Sequence, residues 1–135
     1  MLKTIRYFYL LPRELCKRFY VYFNRWILKL NGVKYGYNVK IFNKFYLLKH
    51  LSASVMLGDN FTFSSGDCFN PLSRNVRGSI YVGKNAKVSI GNNVGASSAC
   101  IWAANSITIG DNVKIGSDSI ILDTDCHSLD YIKRR

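Results

Sequence analysis

Apolar and polar positions alternate along the second part of the chain, in short runs separated by polar corners. Within the short runs between residues 80 and 122, aliphatic side chains recur at every second position, and mostly Ser, Asn, Lys and Thr lie between them. This period of two is typical of β-strands with one buried face. The predicted inward positions are Val82, Val88, Ile90, Val94, Ile101, Ile107, Ile109, Val113, Ile115 and Ile121. Small residues favour a slender core with no room for large side chains: Ala86, Ala96, Ser97, Ala99, Ala103 and Ala104.

The corners between these runs share a motif: an aliphatic residue, Gly, any residue, then Asn or Asp. It occurs at Leu57-Gly58-Asp59-Asn60, Val82-Gly83-Lys84-Asn85, Ile90-Gly91-Asn92-Asn93, Ile109-Gly110-Asp111-Asn112 and Ile115-Gly116-Ser117-Asp118, and Tyr35-Gly36-Tyr37-Asn38 is a variant with Tyr first. Gly, Asn and Asp tolerate positive φ at low cost, so each copy predicts a sharp turn after an inward residue. Such a repeat predicts stacked coils, and therefore a parallel β-helix from about Val33 onward.

The first part of the chain has a different period, and residues 2–30 are predicted to be helical, with a break near Pro12. Asn31-Gly32 supplies a helix stop. An apolar stripe runs at spacings of three and four through Leu15, Phe19, Tyr22, Phe23, Trp26, Ile27 and Leu30. Two interpretations stay open: the helix covers an end or side of the β-helix, or it lies on a membrane surface through residues 1–30. The predicted organisation is thus a helical segment, 1–32, and a repeat domain, 33–135.

Charge is concentrated in the helical segment and its surroundings. Of 19 Lys and Arg residues, 11 lie within residues 1–50, where Glu14 is the single acid. The remaining residues are almost neutral, which argues against nucleic acid as a partner of the repeat domain, because such a domain would need a basic face of its own.

The chain carries few signs of export. Cys16, Cys68, Cys100 and Cys126 are scattered, which favours reduced thiols over a disulfide framework or a zinc site. No signal peptide is recognisable, and basic residues interrupt each apolar stretch before it could span a bilayer. We therefore expect a cytoplasmic protein, with possible peripheral contact on the inner face of the plasma membrane.

The repeat, together with the segment DTDCHSLD from Asp123 to Asp130, resembles the hexapeptide-repeat acyltransferases. The stretch from residue 88 to 135 is most similar to bacterial O-acetyltransferases that modify sugars of surface polysaccharides. This resemblance implies a left-handed β-helix, a homotrimer with sites between subunits, acetyl-CoA as co-substrate and a sugar or lipid-linked sugar as acceptor. No metal is expected.

The same resemblance identifies His127 as the general base, since a sugar hydroxyl needs its proton removed before it can attack a thioester. In an extended segment Asp125 and Asp123 would share the side of His127, so either could orient the imidazole or bind the acceptor, or both could simply form turns. Cys126 would point away, so a cysteine nucleophile is disfavoured.

Trp102 and Asn105 are candidate acceptor-binding residues, although Trp102 could instead face a neighbouring subunit. The other histidine, His50, lies among leucines, and a structural role is expected for it.

The sequence departs from the family pattern after the histidine segment, because the repeat does not resume before Arg135. The expected explanations are a fragment, a prematurely ended reading frame, or a site completed by another subunit. A catalytically inactive β-helix scaffold or membrane-associated protein is therefore the alternative function. A carbonic-anhydrase-like branch is disfavoured, because its metal needs several histidines.

Overall fold

One helix and twelve short strands build the described part of the chain. The computed structural model describes residues 2–66, 69, 72 and 76–134, and side chains from Leu10 onward. The elements are α1 (Leu2–Leu30), β1 (Lys34–Tyr35), β2 (Lys40–Phe42), β3 (Tyr46–Lys49), β4 (Ser54–Leu57), β5 (Thr62–Ser64), β6 (Ser79–Val82), β7 (Lys87–Ile90), β8 (Gly95–Ser97), β9 (Cys100–Ala103), β10 (Ser106–Ile109), β11 (Lys114–Ile115), β12 (Ile120–Leu122) and a 3-10 helix (Tyr131–Arg134).

The strands form three parallel sheets of four strands each. Each strand pairs with the strand three places further along the chain, giving sheet A (β1-β4-β7-β10), sheet B (β2-β5-β8-β11) and sheet C (β3-β6-β9-β12). Three successive strands therefore make one coil, and we number the coils 1 to 4. This topology is consistent with a parallel β-helix, so the predicted mainly-β architecture with an N-terminal helix is confirmed.

The core is the narrow space inside the coils, and it contains the residues expected there. Val82, Val88, Ile90, Val94 and Ile101 are at most 1% exposed. In coil 4, Ile107 is buried, whereas Ile109, Val113, Ile115 and Ile121 pack on the core but remain half-buried. Ala86, Ala96, Ala99 and Ala103 are buried as predicted, while Ser97 and Ala104 are only half-buried.

The positive φ of each repeat belongs to its last residue and not to its glycine. All six copies place the Asn or Asp at φ between 55° and 62°, and none of the six motif glycines has positive φ. The residues are Asn38, Asn60, Asn85, Asn93, Asn112 and Asp118. The expectation that Gly shares this task is therefore wrong. Asn and Asp tolerate this conformation because their short polar side chains bond locally.

At the corner between sheets A and B, these asparagines stack into a ladder. Asn38 Nδ2 donates to Asn60 Oδ1 at 3.0 Å, Asn60 Nδ2 to Asn93 Oδ1 at 3.0 Å, and Asn93 Nδ2 to Asn112 Oδ1 at 3.1 Å. The rungs join residues that are 22, 33 and 19 positions apart. The asparagines therefore stay aligned although the coils differ in length. Coil 2 is the longest, and its extra residues lie between β5 and β6.

Three of the six motif glycines, Gly36, Gly58 and Gly91, lie where adjacent coils leave no room for a Cβ. A Cβ added to Gly58 would lie 2.5 Å from the carbonyl carbon of Gly91 in the next coil. At Gly110, in the last coil, an added Cβ would meet nothing within 4 Å. The glycine requirement is thus a consequence of stacking.

Helix α1 continues through Pro12 and ends where predicted. Gly32 has φ 62°, and the amides of Gly32 and Val33 donate to the carbonyls of Lys29 and Leu28, which is a Schellman ending. The predicted break near Pro12 is not observed.

The C-terminal half of α1 covers the open end of coil 1. The backbone groups of Lys40 and Phe42 form hydrogen bonds with coil 2. The carbonyls of the residues between and beside them, Val39, Ile41 and Asn43, therefore point away from coil 2. Asn24 Nδ2 donates to Ile41 and Asn43, each at 2.9 Å, and Arg25 Nε donates to Val39 at 3.0 Å. These bonds cap an otherwise unpaired strand edge.

The face of α1 that packs is not the predicted apolar stripe. Leu28 and Asn24 are buried, whereas most of the stripe is exposed: Leu15 57%, Phe19 60%, Tyr22 71%, Phe23 37%, Trp26 56% and Leu30 62%. Ile27 alone of the stripe is half-buried. The interpretation that α1 covers an end of the β-helix is therefore confirmed. The covering surface is the side that carries Asn24 and Leu28, and not the apolar stripe.

Candidate functional site

The predicted site residues lie at the end of coil 4 and in the segment that follows it. Asp123 comes directly after β12, and its carboxylate turns back onto the corner between β9 and β10. Oδ1 accepts a hydrogen bond from the amide of Ala104 at 2.5 Å, and Oδ2 accepts from the amides of Asn105 at 2.8 Å and Ser106 at 2.6 Å. Asp123 thereby fixes the start of the histidine segment to the coil below.

The pKa of Asp123 lies below its ordinary value as a consequence. Burial opposes ionisation of this carboxyl group, but the hydrogen bonds from the amides of Ala104, Asn105 and Ser106 together outweigh that effect. The carboxylate is thus ionised, and each of its oxygens accepts hydrogen bonds from the chain itself.

Trp102 and Asn105 are both joined to Asp123 through the backbone. The amide of Asp123 donates to the carbonyl of Trp102 at 3.4 Å, and Asn105 donates to the carboxylate as described above. The carbonyl of Asn105 also accepts from Lys87 in coil 3. The structure therefore brings three of the five predicted site residues together.

Trp102 points outward from sheet C, and its ring packs at a tilt against Tyr81 of the coil before it. The two ring centroids are 4.9 Å apart with an interplanar angle of 57°. The register places Leu48 next to Tyr81 and Leu122 next to Trp102, so one column of outward apolar residues crosses all four coils. Leu48, Tyr81, Trp102 and Leu122 are each between 38% and 60% exposed. We call this column the sheet C face.

The predictions from sequence did not include Tyr81, Leu48 and Leu122 in the site. The sequence did contain a signal for them, because each is a large apolar residue directly after an inward one, as Trp102 is after Ile101. The pairs are Leu47-Leu48, Ile80-Tyr81 and Ile121-Leu122. Recognising the column requires the register between coils, which the unequal coil lengths conceal.

His127 and Asp125 are exposed, in a bent segment. Neither makes a hydrogen bond or ion pair with any other described residue. Cys126 has φ 61°, and its amide donates to Thr124 Oγ1 at 3.1 Å. The expectation of an extended segment is therefore wrong, and strand alternation does not place Asp125 beside His127. The imidazole is accessible, and no carboxylate of a described residue orients it.

The rest of the segment is held by short-range bonds. Ser128 Oγ accepts from the amide of Asp130 at 3.2 Å, and the carbonyl of Ser128 accepts from Arg134 Nε at 2.6 Å. Asp130 Oδ1 accepts from the amide of Ile132 at 3.0 Å, which begins the 3-10 helix. These bonds give the histidine segment a defined course between Asp123 and the 3-10 helix.

His50 lies on the corner between β3 and β4, where its Nδ1 accepts from the amide of Ser52 at 3.2 Å. It thus has a local structural role at an exposed turn. The described cysteines, Cys16, Cys100 and Cys126, are unpaired thiols, and Cys68 lies outside the described residues. Within the described chain, no three His, Cys, Asp or Glu residues are grouped so that they could hold a metal ion.

Among residues whose placement is described, no helix has the length and apolarity needed to cross a membrane. Comparison with known proteins adds no relative: no protein-family model, curated protein or solved structure matches the chain.

Proposed function

We propose that this chain is a left-handed β-helix of the hexapeptide-repeat type and transfers an acetyl group from acetyl-CoA to a sugar hydroxyl of a surface polysaccharide precursor. His127 is the general base. The observation that carries the proposal is the position of an exposed imidazole on a segment anchored to a four-coil β-helix through Asp123.

The chemistry requires one proton acceptor near the acceptor sugar. His127 removes the proton of the hydroxyl as its oxygen attacks the thioester carbonyl of acetyl-CoA. The tetrahedral intermediate then collapses, the carbon–sulfur bond breaks and coenzyme A leaves, with the proton returned to its sulfur. An imidazole suits this exchange because its ordinary pKa is close to neutral.

Besides the base His127, the other four predicted site residues divide into two roles in this proposal, positioning and acceptor binding. Asp123 is a positioning residue, since its oxygens bind the backbone of the corner before β10. Trp102 presents an exposed ring beside that corner, and the apolar faces of sugar rings pack well on aromatic rings. Asn105 and Asp125 are exposed polar groups that can bind acceptor hydroxyls.

The test is acetyl transfer from acetyl-CoA to a panel of soluble sugar acceptors, measured by release of free coenzyme A thiol. His127→Ala is expected to lower kcat by about 10²–10⁴, the usual contribution of a general base. His50→Ala is the matched control, because it removes the other exposed imidazole, from a corner elsewhere on the same β-helix. Undiminished transfer by His127→Ala would show that this histidine is not the base.

Oligomerisation is part of the same proposal. The sheet C face is an apolar surface with no covering element among the described residues. Neighbouring copies packed on its part at Leu48 and Tyr81 would form the trimer that the family resemblance implies and leave the ring of Trp102 open to the acceptor. Leu48→Ser with Tyr81→Ser is expected to shift the sedimentation coefficient to that of a monomer. Met56→Ser, an exposed outward residue of sheet A, is the control and should leave assembly unchanged.

A second candidate function is favoured by one observation. His127 and Asp125 have no hydrogen-bonding partner in the described chain, whereas a general base is usually oriented by a third group. A β-helix that serves in assembly or membrane attachment needs no such orientation. Absence of acetyl transfer by the correctly folded wild-type trimer on every acceptor would favour this scaffold function.

A further inference from the structure

The exposed stripe of α1 lies on the side of the helix opposite to its packed side. At about 100° per residue, its six exposed members fall within an arc of about 100°. Asn24 and Leu28, the buried residues of α1, lie on the other side. The six residues are Leu15, Phe19, Tyr22, Phe23, Trp26 and Leu30, and we call them the α1 stripe.

The direction of the stripe follows from the hydrogen bonds of the packed side. Asn24 and Arg25 bind carbonyls that point away from coil 2, so α1 lies across the end of the β-helix. The α1 stripe therefore faces outward from that end. The repeat domain stands behind the helix, and no other described element covers the stripe.

Aromatic residues dominate the stripe and contact one another. Phe19 stacks on Phe23 with ring centroids 5.7 Å apart, and Phe23 meets Trp26 at 6.1 Å. A continuous row of rings on one helical side is costly in water. Trp and Tyr prefer the headgroup region of a bilayer, where the apolar ring and the polar N–H or O–H group are both accommodated, and the purely apolar ring of Phe is buried beside them.

Positive charge borders this row. Arg18 and Lys29 are exposed, and both lie next to the same edge of the α1 stripe. Glu14, the one acid of the helix, is neutralised by Lys17, whose Nζ donates to its Oε1 at 2.6 Å. The charge that remains next to the stripe is therefore cationic, as expected of a surface that meets anionic lipid.

A groove beside the stripe adds a place for a headgroup. It has a volume of about 690 Å³ between α1 and the first corner of coil 1, and it is lined by Tyr22, Arg25, Trp26, Lys29, Tyr35 and Tyr37 among others. Aromatic walls with two cationic side chains fit a phosphate headgroup whose acyl chains extend toward the stripe.

We propose that the α1 stripe inserts into the surface of a bilayer containing anionic lipid, with the helix parallel to the surface and the β-helix standing on it end-on. Successive coils are about 4.8 Å apart, so coil 4 and the histidine segment would lie about 15 Å above coil 1. This arrangement does not depend on the proposed acetyl transfer.

The experiment is flotation of the full chain with phosphatidylcholine vesicles, prepared with and without phosphatidylglycerol. The wild-type protein is expected to float with the anionic vesicles and to be released by salt. Phe19→Ser with Trp26→Ser should weaken vesicle binding at least tenfold, because two aromatic rings no longer insert into the bilayer. Leu51→Ser is the matched control, because Leu51 is a 97% exposed apolar residue on a corner of the β-helix, and it should bind like wild type.

The charge contribution is tested in the same assay. Arg18→Gln with Lys29→Gln should weaken binding to anionic vesicles, whereas Lys84→Gln with Lys87→Gln removes equal charge from the repeat domain and should not. Circular dichroism verifies that each variant is folded.

Three results would overturn the proposal. Wild-type protein that stays unbound with both vesicle types would do so, and so would stripe variants that float like wild type. An oligomer that the stripe variants dissociate in the absence of lipid would show that a second copy covers the stripe. His127→Ala must float like wild type, so loss of activity and loss of binding are distinguishable.

Discussion

The side-chain amide of Asn24 donates to the carbonyl oxygen of Ile41 at 2.9 Å and joins α1 to the first coil. The same nitrogen also reaches the carbonyl of Asn43. Asn24 is 2% exposed, so water cannot replace these bonds if they are lost. Asn24 thus provides a hydrogen-bond donor for two carbonyls on the open edge of β2, which has no neighbouring strand on that side.

Replacing Asn24 should therefore uncap the β-helix. Asn24→Ala is expected to lower the free energy of unfolding by about 2–4 kcal/mol, since one buried and one part-buried carbonyl lose their donor. Urea denaturation followed by circular dichroism measures the change. Asn31→Ala is the control, because its amide bonds only within its own helix, to Ile27, and a loss below about 1 kcal/mol is expected there. Equal losses in the two variants would contradict the capping role.

Coil stacking makes a second prediction from two glycines that occupy the same position of the repeat. Gly58→Ala should destabilise the protein by more than about 2 kcal/mol, because the added carbon would lie 2.5 Å from backbone atoms of the next coil. At Gly110 an added methyl group meets open space and φ is not positive. Gly110→Ala is therefore expected to leave the free energy of unfolding unchanged or to raise it by up to about 1 kcal/mol. Thermal unfolding of the two variants decides it, and a similar Tm for both would contradict the close approach.

The asparagine ladder gives a third prediction, which separates backbone from side chain. Asn60→Ala loses two ladder hydrogen bonds and places alanine at φ 55°, for a cost of about 2–4 kcal/mol. Asn60→Gly loses the same bonds but adopts positive φ freely, so a smaller cost of about 1–2 kcal/mol is expected. Denaturant titration of both variants measures the difference. Indistinguishable stabilities would mean that the backbone conformation is unimportant.

Asp123 predicts a pH dependence of stability. Its pKa is lower in the folded protein than in the unfolded chain, where about 3.9 is ordinary. The carboxylate therefore contributes its full stabilisation above about pH 4, and the contribution is lost as the pH falls through the lowered pKa. Asp123→Asn should be less stable at neutral pH, with the gap to wild type closing in acid.

The measurement is the midpoint of urea unfolding at a series of pH values, for wild type and Asp123→Asn. The difference between the two proteins isolates Asp123 from the other carboxyl groups. Asp125→Asn is the control, since that side chain makes no hydrogen bond within the described chain, and its profile should follow wild type. A gap that widens in acid would contradict the assigned direction of the pKa.

The architecture was predictable because its requirements are local. Each inward aliphatic residue and each Asn or Asp corner repeats along the chain, so alternation and motif spacing are sufficient to predict short strands, tight turns and stacked coils. The helix and its ending at Gly32 were equally readable. Which residue of the motif takes positive φ was not, because Gly and Asn are both capable of it, and only the contact between Gly58 and Gly91 shows that the glycine serves packing.

The candidate site was predictable in part. The resemblance pointed to residues 123–130, whereas Trp102 and Asn105 were chosen because they flank the site in sequence. Three of the five residues lie together. The bonding of Asp123 to the corner before β10 joins residues in different coils, and no local pattern reports such a contact. Residues 123–127 read as extended by alternation alone, but the conformation of Cys126 bends them.

By itself, the sequence determined which stretches would be helix, strand and corner, since those depend on side chains a few residues apart. Only the tertiary structure decided which side of α1 is covered. The unpaired carbonyls of Val39, Ile41 and Asn43 need hydrogen-bond donors, and Asn24 and Arg25 supply them where an apolar side chain could not. Hydrogen bonding at the end of the β-helix therefore outweighed burial of the stripe, and six large apolar residues were left facing outward.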